Sequence, residues 1–162
     1  MSDGAAARPF RIGVISDTHG EVPDAVTAAF EGVDAIVHAG DVGSGYALEL
    51  LEAIAPVTAV CGNCDVGVAS TFPIAVNTVF AGVRFVIAHR ERDLAGSLDP
   101  VTAGARVAIT GHSHVAAIGE RDGVLWVNPG SPAFPREGQK PSVAIIAVAP
   151  DGGVSAQIVQ LG

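Results

Sequence analysis

Short motifs that combine Asp, His and Asn recur along the sequence, each next to a glycine or directly after an apolar run. They are Asp17-Thr18-His19, Gly40-Asp41, Gly62-Asn63, His89 and Gly111-His112-Ser113-His114. Imidazole, carboxylate and amide groups form a mixed nitrogen and oxygen donor set, which suits Mn²⁺, Fe, Zn²⁺ or Ni²⁺ better than a structural zinc cage. Seven such donors exceed the needs of one ion and suit two ions about 3.5–4 Å apart that share a carboxylate.

Each of these motifs follows a predicted β-strand. The apolar runs that precede the motifs are residues 11–16, 35–39, 57–61, 83–88 and 107–110. In open α/β sheets, ligand sites collect outside the carboxyl ends of the strands, so these strand ends are expected to converge on one crevice. Four of the five histidines lie at these ends, and this distribution is the main reason to predict a metal site.

The first half of the chain alternates strands with helices. Residues 24–30 and 47–54 are amphipathic, and Pro23 stands where it could start the first of these helices. Strands that alternate with helices predict parallel βαβ units with right-handed crossovers.

The second half has the pattern of antiparallel hairpins. Its strand pairs are 74–80 with 83–88, 118–120 with 124–128, and 142–149 with 154–161. Asp122-Gly123 is a strong hairpin-turn signal. Residues 94–103 could form one poor helix, which Gly96 and Pro100 interrupt. We therefore expect an α/β fold in which a parallel and an antiparallel half form two packed sheets with helices outside.

The spacing within the motifs also has a chemical reading. Asp17 and His19 are two residues apart, as are His112 and His114, so on extended backbone both side chains of a pair would point the same way. The glycines beside the donors, such as Gly62, allow tight turns or a close approach of the backbone.

Composition limits the class of protein. The chain has 162 residues, enough for one domain, and we expect a loose tail at 1–9 followed by a single domain at 10–162. The formal net charge is −8, which disfavours coating of nucleic acid. The longest apolar stretch, residues 143–149, is too short to cross a bilayer, so no membrane role is expected and the expected location is the cytoplasm.

Cys61 and Cys64 have the spacing of a redox pair or of half a zinc site. The chain contains no second cysteine pair that could complete a four-thiolate zinc site, and the residues after Cys64 do not read as the helix that a thioredoxin-like motif opens. Two incidental thiols are the favoured interpretation, and a thiol-redox protein remains a third reading of the function.

Taken in order, the motifs resemble those of the calcineurin-like metallophosphoesterase superfamily, above all its small single-domain bacterial and archaeal phosphodiesterases. The similarity runs from residue 12 to about residue 148 and includes Asn128-Pro129-Gly130-Ser131. This resemblance implies a four-layer αββα sandwich of two mixed sheets. It also implies a metal-dependent phosphoester hydrolase, most simply a phosphodiesterase, that acts on a small phosphoester and could self-associate as a homo-oligomer.

The resemblance assigns the donors to two divalent ions, with Mn²⁺ expected and Ni²⁺, Fe, Zn²⁺ or Mg²⁺ as alternatives. One ion would be held by Asp17, His19 and His114, the other by Asn63, His89 and His112, and Asp41 would bridge both. A hydroxide between the ions would attack phosphorus, which makes Asp41, Asn63 and His112 the expected catalytic residues.

Two departures from the family pattern concern substrate contacts. Cys64 stands where many relatives have a histidine that acts as an acid, and a thiol is a poorer proton donor. His89-Arg90-Glu91 replaces the usual His-Gly-His. Cys64 and Arg90, with Arg92, are therefore candidate substrate contacts, although solvated surface charge is an equally good reading of the two arginines.

Other polar residues have simpler interpretations. His38 falls within a strand and is expected to be a hydrogen-bonded structural histidine, and Asp65 is expected to close a turn. Asn63 could itself be a turn residue. The main alternative function is a non-catalytic protein-interaction scaffold on the same fold, like the retromer scaffold subunit of eukaryotes. That subunit has lost a histidine from its metal cluster, whereas all seven donor types are present here.

Overall fold

A computed structural model of the chain describes residues 7–162. Most of the predicted tail, residues 1–6, lies outside the described residues. Within the remainder, Arg8 forms an ion pair with Asp34 at 2.6 Å between Nη2 and Oδ1.

The described chain contains ten strands and three α-helices. In chain order they are β1 (Phe10–Ile15), α1 (Asp24–Ala29), β2 (Ala35–His38), α2 (Gly45–Glu52), β3 (Val57–Ala59), β4 (Ala75–Phe80), β5 (Val83–Ala88), α3 (Pro100–Ala103), β6 (Val107–Ile109), β7 (Ala116–Arg121), β8 (Val124–Pro129), β9 (Ser142–Val148) and β10 (Val154–Gln160). Short 3₁₀ helices span Gly67–Thr71, Glu91–Asp93 and Gly96–Leu98.

The strands form two five-stranded sheets, ordered β10-β9-β1-β2-β3 and β4-β5-β6-β8-β7. β1, β2 and β3 are parallel to one another, and so are β5, β6 and β8. The other pairings are antiparallel. The predicted pair of mixed sheets is confirmed, but the expected division into a parallel half and an antiparallel half is wrong. β9 and β10 return from the second half to join the first sheet, because β9 pairs with the free side of β1.

The two longer helices match the expectation. α2 begins at Gly45 because Ser44 accepts a hydrogen bond from the backbone N–H of Ala47, an N-cap that the apolar periodicity did not reveal. α1 and α2 pack on the outer face of the first sheet, where Phe30 and Leu51 are fully buried.

The predicted helix at 94–103 is wrong in extent. Gly96 adopts a positive φ of 62°, and the segment forms a 3₁₀ turn followed by the four-residue α3, which Pro100 starts and Asp99 caps. The outer layer on the second sheet is therefore thin, and β7 at the edge of this sheet is exposed over most of its length.

The main core lies between the two sheets. It is formed by Ile12, Val14, Val37, Val83, Phe85, Ile87, Val107, Ile109, Val127, Ala144, Ile146 and Val148, with a few neighbours. With the outer clusters on each sheet this gives the four layers that the resemblance implied. None of the helices in residues 7–162 combines the length and the apolar character that a membrane-spanning helix needs.

Candidate metal centre

The loops after β1, β2, β5 and β6 are joined by backbone hydrogen bonds at one edge of the sandwich. The N–H of Asp17 donates to the carbonyl of Gly40 at 2.9 Å, and the N–H of His19 donates to that of Asp41 at 3.0 Å. In the second sheet, the N–H of Gly111 donates to the carbonyl of His89 at 3.0 Å, and the N–H of His112 links the two sheets by donating to Oδ2 of Asp17 at 2.9 Å. The predicted convergence of strand ends is confirmed.

The local conformation of the donor motifs differs from the extended one expected. Asp17, His19, Asp41, His112 and His114 all have φ between 45° and 71°, in the left-handed region. Among non-glycine residues of the described chain only Ala81 and Asp122, in hairpin turns, share it. Such a conformation is costly for residues with a Cβ and persists where the surroundings enforce it, as at binding sites. Each pair of donors is thus brought together by tight loop turns rather than by the pleat of a strand.

Glycine is required where these loops touch. A Cβ on Gly62 would collide with the backbone nitrogen and carboxylate of Asp41, and a Cβ on Gly111 would collide with the hydroxyl of Ser16. The predicted close backbone approach is confirmed at both positions, and each lets a donor residue reach the cluster.

Asp17, His19 and His114 form the first group of donors. Oδ1 of Asp17 lies 3.2 Å from Nε2 of His114 and 3.9 Å from Nε2 of His19. The two imidazole Nε2 atoms are 3.4 Å apart. These three atoms all lie within 4.8 Å of one another, close enough to bind a single ion.

A second group shares Asp17 and adds Asp41 and His89. Nε2 of His89 lies 3.2 Å from Oδ2 of Asp41 and 3.7 Å from Oδ1 of Asp17. Oδ2 of Asp41 is also 3.7 Å from Nε2 of His19, so this carboxylate lies between the two groups.

Asn63 and His112 lie beside the second group and contact each other. Nδ1 of His112 and Oδ1 of Asn63 form a hydrogen bond of 3.1 Å. The ring of His112 meets that of His89 edge to face, with 5.1 Å between centroids. All seven predicted donors are therefore gathered at one edge of the sandwich, with Asn63 and His112 on its solvent side.

The donor set fits metal ions. Among residues 7–162, Oδ1 of Asp17 and Nε2 of His89 are the buried side-chain polar atoms without a hydrogen-bond partner. Nε2 of His89 lies near Oδ2 of Asp41 but is not aligned for a hydrogen bond. Leaving buried polar atoms unpaired costs about 1–3 kcal/mol each, and a divalent cation would satisfy both.

Hydrogen bonds to the far ring nitrogens aim two histidines at the cluster. Nδ1 of His89 donates to the carbonyl of Ala39 at 2.7 Å, and Nδ1 of His114 donates to the carbonyl of Phe134 at 2.5 Å. Because a carbonyl can only accept a hydrogen bond, Nδ1 of each ring must carry the hydrogen. The lone pair is then on Nε2, as a histidine that binds metal through Nε2 requires.

The charges of the centre are strongly coupled. Burial raises the pKa of Asp17, and the nearby His89 only partly opposes this. Burial would likewise raise the pKa of Asp41, but its contacts with His89 and with the backbone N–H of Cys64 lower it overall. Burial lowers the pKa of His89, yet the carboxylates of Asp41 and Asp17 raise it overall. Burial and neighbouring groups of opposite charge set these three shifts together, so the protonation of Asp17, Asp41 and His89 is linked.

Asp65 and His38 have the structural roles expected. The carboxylate of Asp65 accepts hydrogen bonds from the N–H groups of Asp41, Gly43 and Gly62. It therefore fixes the loop after β2, which carries Asp41, to the loop after β3. Nδ1 of His38 accepts from the N–H of Gly40, and Nε2 lies 3.0 Å from Oγ1 of Thr18. Burial lowers the pKa of His38 to about 3, so it stays neutral.

A loop that sequence reasoning left unassigned supports the first donor group. Oγ of Ser131 donates to the carbonyl of Asp17 at 2.8 Å, and the ring of Phe134 meets that of His19 at 5.6 Å. Nε of Arg136 donates to the carbonyl of Ser113, between the two histidines, at 2.8 Å. In the sequence, Asn128-Pro129-Gly130-Ser131 is notable only as part of the family resemblance, and its position after the last histidine pair is the one signal of this role.

The candidate substrate contacts lie at the rim. The exposed Cys64 places Sγ within 4.8 Å of donor atoms of His19 and Asp41. Burial and the carboxylate of Asp41 raise its thiol pKa, and burial and Asp65 raise that of Cys61. A reactive redox pair needs lowered thiol pKa values, so the thiol-redox reading loses support. Arg90 lines a hollow that also contains His112.

Comparison with known proteins identifies the family of the chain. Residues 10–151 match the family model of the calcineurin-like phosphoesterase superfamily domain. A probable metallophosphoesterase of Methanothermobacter thermautotrophicus is 37% identical over 162 residues, which covers 93% of this chain and 92% of the relative. The chain belongs to the calcineurin-like phosphoesterase superfamily.

Solved structures share the fold at low sequence identity. Vacuolar protein sorting 29 of Cryptosporidium parvum superposes with a TM-score of 0.76 at 20% identity, over 95% of this chain and 98% of that one. A structure described as a novel archaeal phosphodiesterase superposes with a TM-score of 0.73 at 24% identity, over 92% and 99%. At these identities the likeness establishes the fold alone, which is the metallophosphoesterase-like sandwich predicted.

Proposed function

We propose that this protein is a metal-dependent phosphodiesterase with a dinuclear centre, contained in a single domain at residues 10–162. The observation that carries the proposal is the pair of unpartnered buried atoms, Oδ1 of Asp17 and Nε2 of His89. They lie among five clustered nitrogen and oxygen donors, with Asn63 and His112 beside the cluster. Membership of the superfamily supports a phosphoester hydrolase, and the donor set supports divalent metal.

The seven donors divide between two ions as follows. Asp17, His19 and His114 would hold one ion, Asn63, His89 and His112 would hold the other, and Asp41 would bridge them. When bound, two divalent ions supply a hydroxide at neutral pH and neutralise the oxygens of the phosphoryl group, with Mn²⁺ as the expected ion.

The residues of the chain orient these donors and supply a proton. Asp41 stays ionised because its pKa is lowered, and its Oδ1 is held at 2.8 Å by the N–H of Cys64. As the bond from phosphorus to the leaving oxygen breaks, that oxygen gains the electron pair and needs a proton. The Cys64 thiol is protonated at neutral pH but has a raised pKa, so it is a weak donor. Diesters with good leaving groups are therefore the preferred substrates.

A non-catalytic scaffold is the second candidate, because Vacuolar protein sorting 29 has the same fold. In this reading the cluster would bind metal only to hold the loops together. The two functions differ in one measurable respect, since a scaffold would bind metal without turnover.

The test is to strip the protein of metal and assay a generic aryl phosphodiester after restoring Mn²⁺, Ni²⁺, Zn²⁺ or Mg²⁺ one at a time. We expect activity to return with Mn²⁺ or Ni²⁺ and to fall at least about 10²-fold in Asp41→Asn and in His112→Ala. Asp99→Asn, the same chemical change at the cap of α3, should keep full activity.

Metal content is measured in the same samples by elemental analysis and by anomalous scattering from crystals soaked in manganese. A protein that binds two ions yet hydrolyses no phosphoester with any metal would favour the scaffold. A centre that binds no metal would contradict both candidates.

A further inference from the structure

A hollow of about 450 Å³ opens directly beside His112. Its walls come from the segment after β5, which carries Arg90 and Arg92, and from the loop after β6, with Asn128 of β8 at its floor. Its volume is in the range of sites that hold a small molecule or a substituent of one.

The charge of this hollow is opposite to that of the protein. The chain has a net charge of −8 and nine Lys and Arg residues. Seven of the nine contact an acidic side chain, an amide or a backbone carbonyl. Within residues 7–162, Arg92 and Lys140 make no such contact, and Arg92 is the one of these two that lines the hollow.

The neighbours of Arg92 leave its charge uncompensated. Glu91 also lines the hollow, but its carboxylate is paired with Arg121 at 2.9 Å. Arg90 is half-buried and lies 3.6 Å from Asp93 through Nε, and within the described residues its guanidinium donates no hydrogen bond. Arg92 is exposed and borders both this hollow and a neighbouring one at Arg121, so its unpaired guanidinium is available at the rim next to His112, beside that of Arg90.

We propose that this hollow binds a second anionic group of the substrate, namely a phosphate carried by the leaving alcohol of the diester, and that Arg92 with Arg90 selects for it. The inference rests on the proposed phosphodiesterase function and specifies its substrate class. It follows from position, because a diester held at the donors next to His112 has its substituent within reach of the hollow. It also follows from chemistry, because guanidinium groups bind phosphate through paired, charge-assisted hydrogen bonds.

A nucleic-acid strand fits these observations less well. A strand presents a phosphate at every nucleotide and needs a track of cations, whereas the hollow offers two arginines on a strongly acidic protein. A compact substrate with one additional phosphate matches both the size and the charge of the hollow.

The activity test compares two methyl aryl diesters with manganese restored. In one, the leaving phenol carries a phosphate at the para position, and in the other it carries a methoxy group. Chromatography of the released phenol measures turnover without interference from cleavage of the second phosphate. We expect the phosphorylated diester to be preferred at least about tenfold in kcat/KM.

Arg92→Gln should lower kcat/KM for the phosphorylated diester about tenfold, mainly through KM, and leave the methoxy diester within about twofold. Lys140→Gln removes the other uncontacted cation and should change neither. Equal rates on both diesters in the unmodified protein, or an equal loss on both in Arg92→Gln, would overturn the proposal.

Binding supplies a readout that does not depend on turnover. Titration calorimetry of 4-hydroxyphenyl phosphate against the full-length protein should show affinity that falls about tenfold in Arg92→Gln and stays constant in Lys140→Gln. Binding that depends on Arg92, without hydrolysis of either diester, would contradict the proposed enzymatic function and support the anion site. An affinity that is unchanged in Arg92→Gln would contradict the proposed anion site.

Discussion

Asp17 and Asn63, which we assign to neighbouring ions, have opposite surroundings. The carboxylate of Asp17 is fully buried and accepts hydrogen bonds from the hydroxyl of Ser16 at 2.7 Å and from the N–H of His112 at 2.9 Å. The side chain of Asn63 is exposed and contacts only His112 and Cys64 within the described part of the chain. The carboxylate assigned to the first ion is therefore pre-formed, whereas two of the three donors that only the second ion would use, Asn63 and His112, are exposed and only His89 is buried.

This difference assigns separate tasks to the two sides. Buried, fixed side chains lose little conformational entropy when they bind an ion. Exposed side chains lose more, so they bind an ion less tightly and release it more readily. The hollow beside His112 opens on the exposed side. We therefore expect the first ion to be retained through purification and the second to bind weakly, next to the substrate.

Removing a donor from each side tests this comparison most strongly. Asp17→Asn should abolish binding of the first ion and lower kcat/KM about 10³-fold, because the buried carboxylate serves both donor groups. Asn63→Ala should cost about 10²-fold and recover in part when excess manganese is supplied. Metal titration followed by elemental analysis gives the stoichiometry of each variant. Equal losses with equal recovery would mean that the two sides do not differ.

The loop after β8, which carries Ser131, provides a smaller test of how the first ion is bound. Ser131→Ala removes the hydroxyl that holds the carbonyl of Asp17 and should weaken binding of the first ion about 10–100-fold. Ser142→Ala is the matched control, because this buried serine donates instead to the carbonyl of Pro129. Competition with a chelator measures the affinity. A similar loss in both variants would indicate general destabilisation of the fold.

His38 makes the stability of the buried side depend on pH. Its folded-state pKa of about 3 lies below the ordinary value of 6.5, so the unfolded chain binds an extra proton as the pH falls. The protein should lose about 2 kcal/mol of unfolding free energy between about pH 7 and pH 5 relative to His38→Asn, which has no such group. Urea unfolding of both proteins at each pH measures this. Parallel pH profiles would contradict the expectation.

The smallest expected effect concerns the open side. Cys64→Ser should keep activity on a diester with a good leaving group within about threefold, since the thiol is a weak proton donor there. Cys61→Ser should have no effect, and a chelator should abolish activity in both variants. The thiol-redox reading requires the reverse, with loss in Cys64→Ser and no response to the chelator.

Much of the centre could be predicted because strand ends are visible in a sequence. The apolar runs located β1, β2, β5 and β6 within one or two residues, and the polar residues that follow such runs are the candidate donors. The sequence did not predict that β9 and β10 join the first sheet. The pairing of β9 with β1 depends on which edge of β1 remains free in the folded chain. The prediction of one helix at 94–103 is wrong because Gly96 and Pro100 divide the segment. Gly96 begins a 3₁₀ turn, and the α-helix begins only at Pro100.

The sequence by itself determined the kinds of donor and their order along the chain, since composition and local periodicity are properties of the chain. The tertiary structure decided how the donors face one another. The left-handed backbone at Asp17, His19 and Asp41, the support from Ser131 and the hollow at Arg92 all depend on loops that meet across two sheets. Contacts between residues more than a hundred positions apart, such as Ser131 with Asp17, leave no local pattern in the sequence.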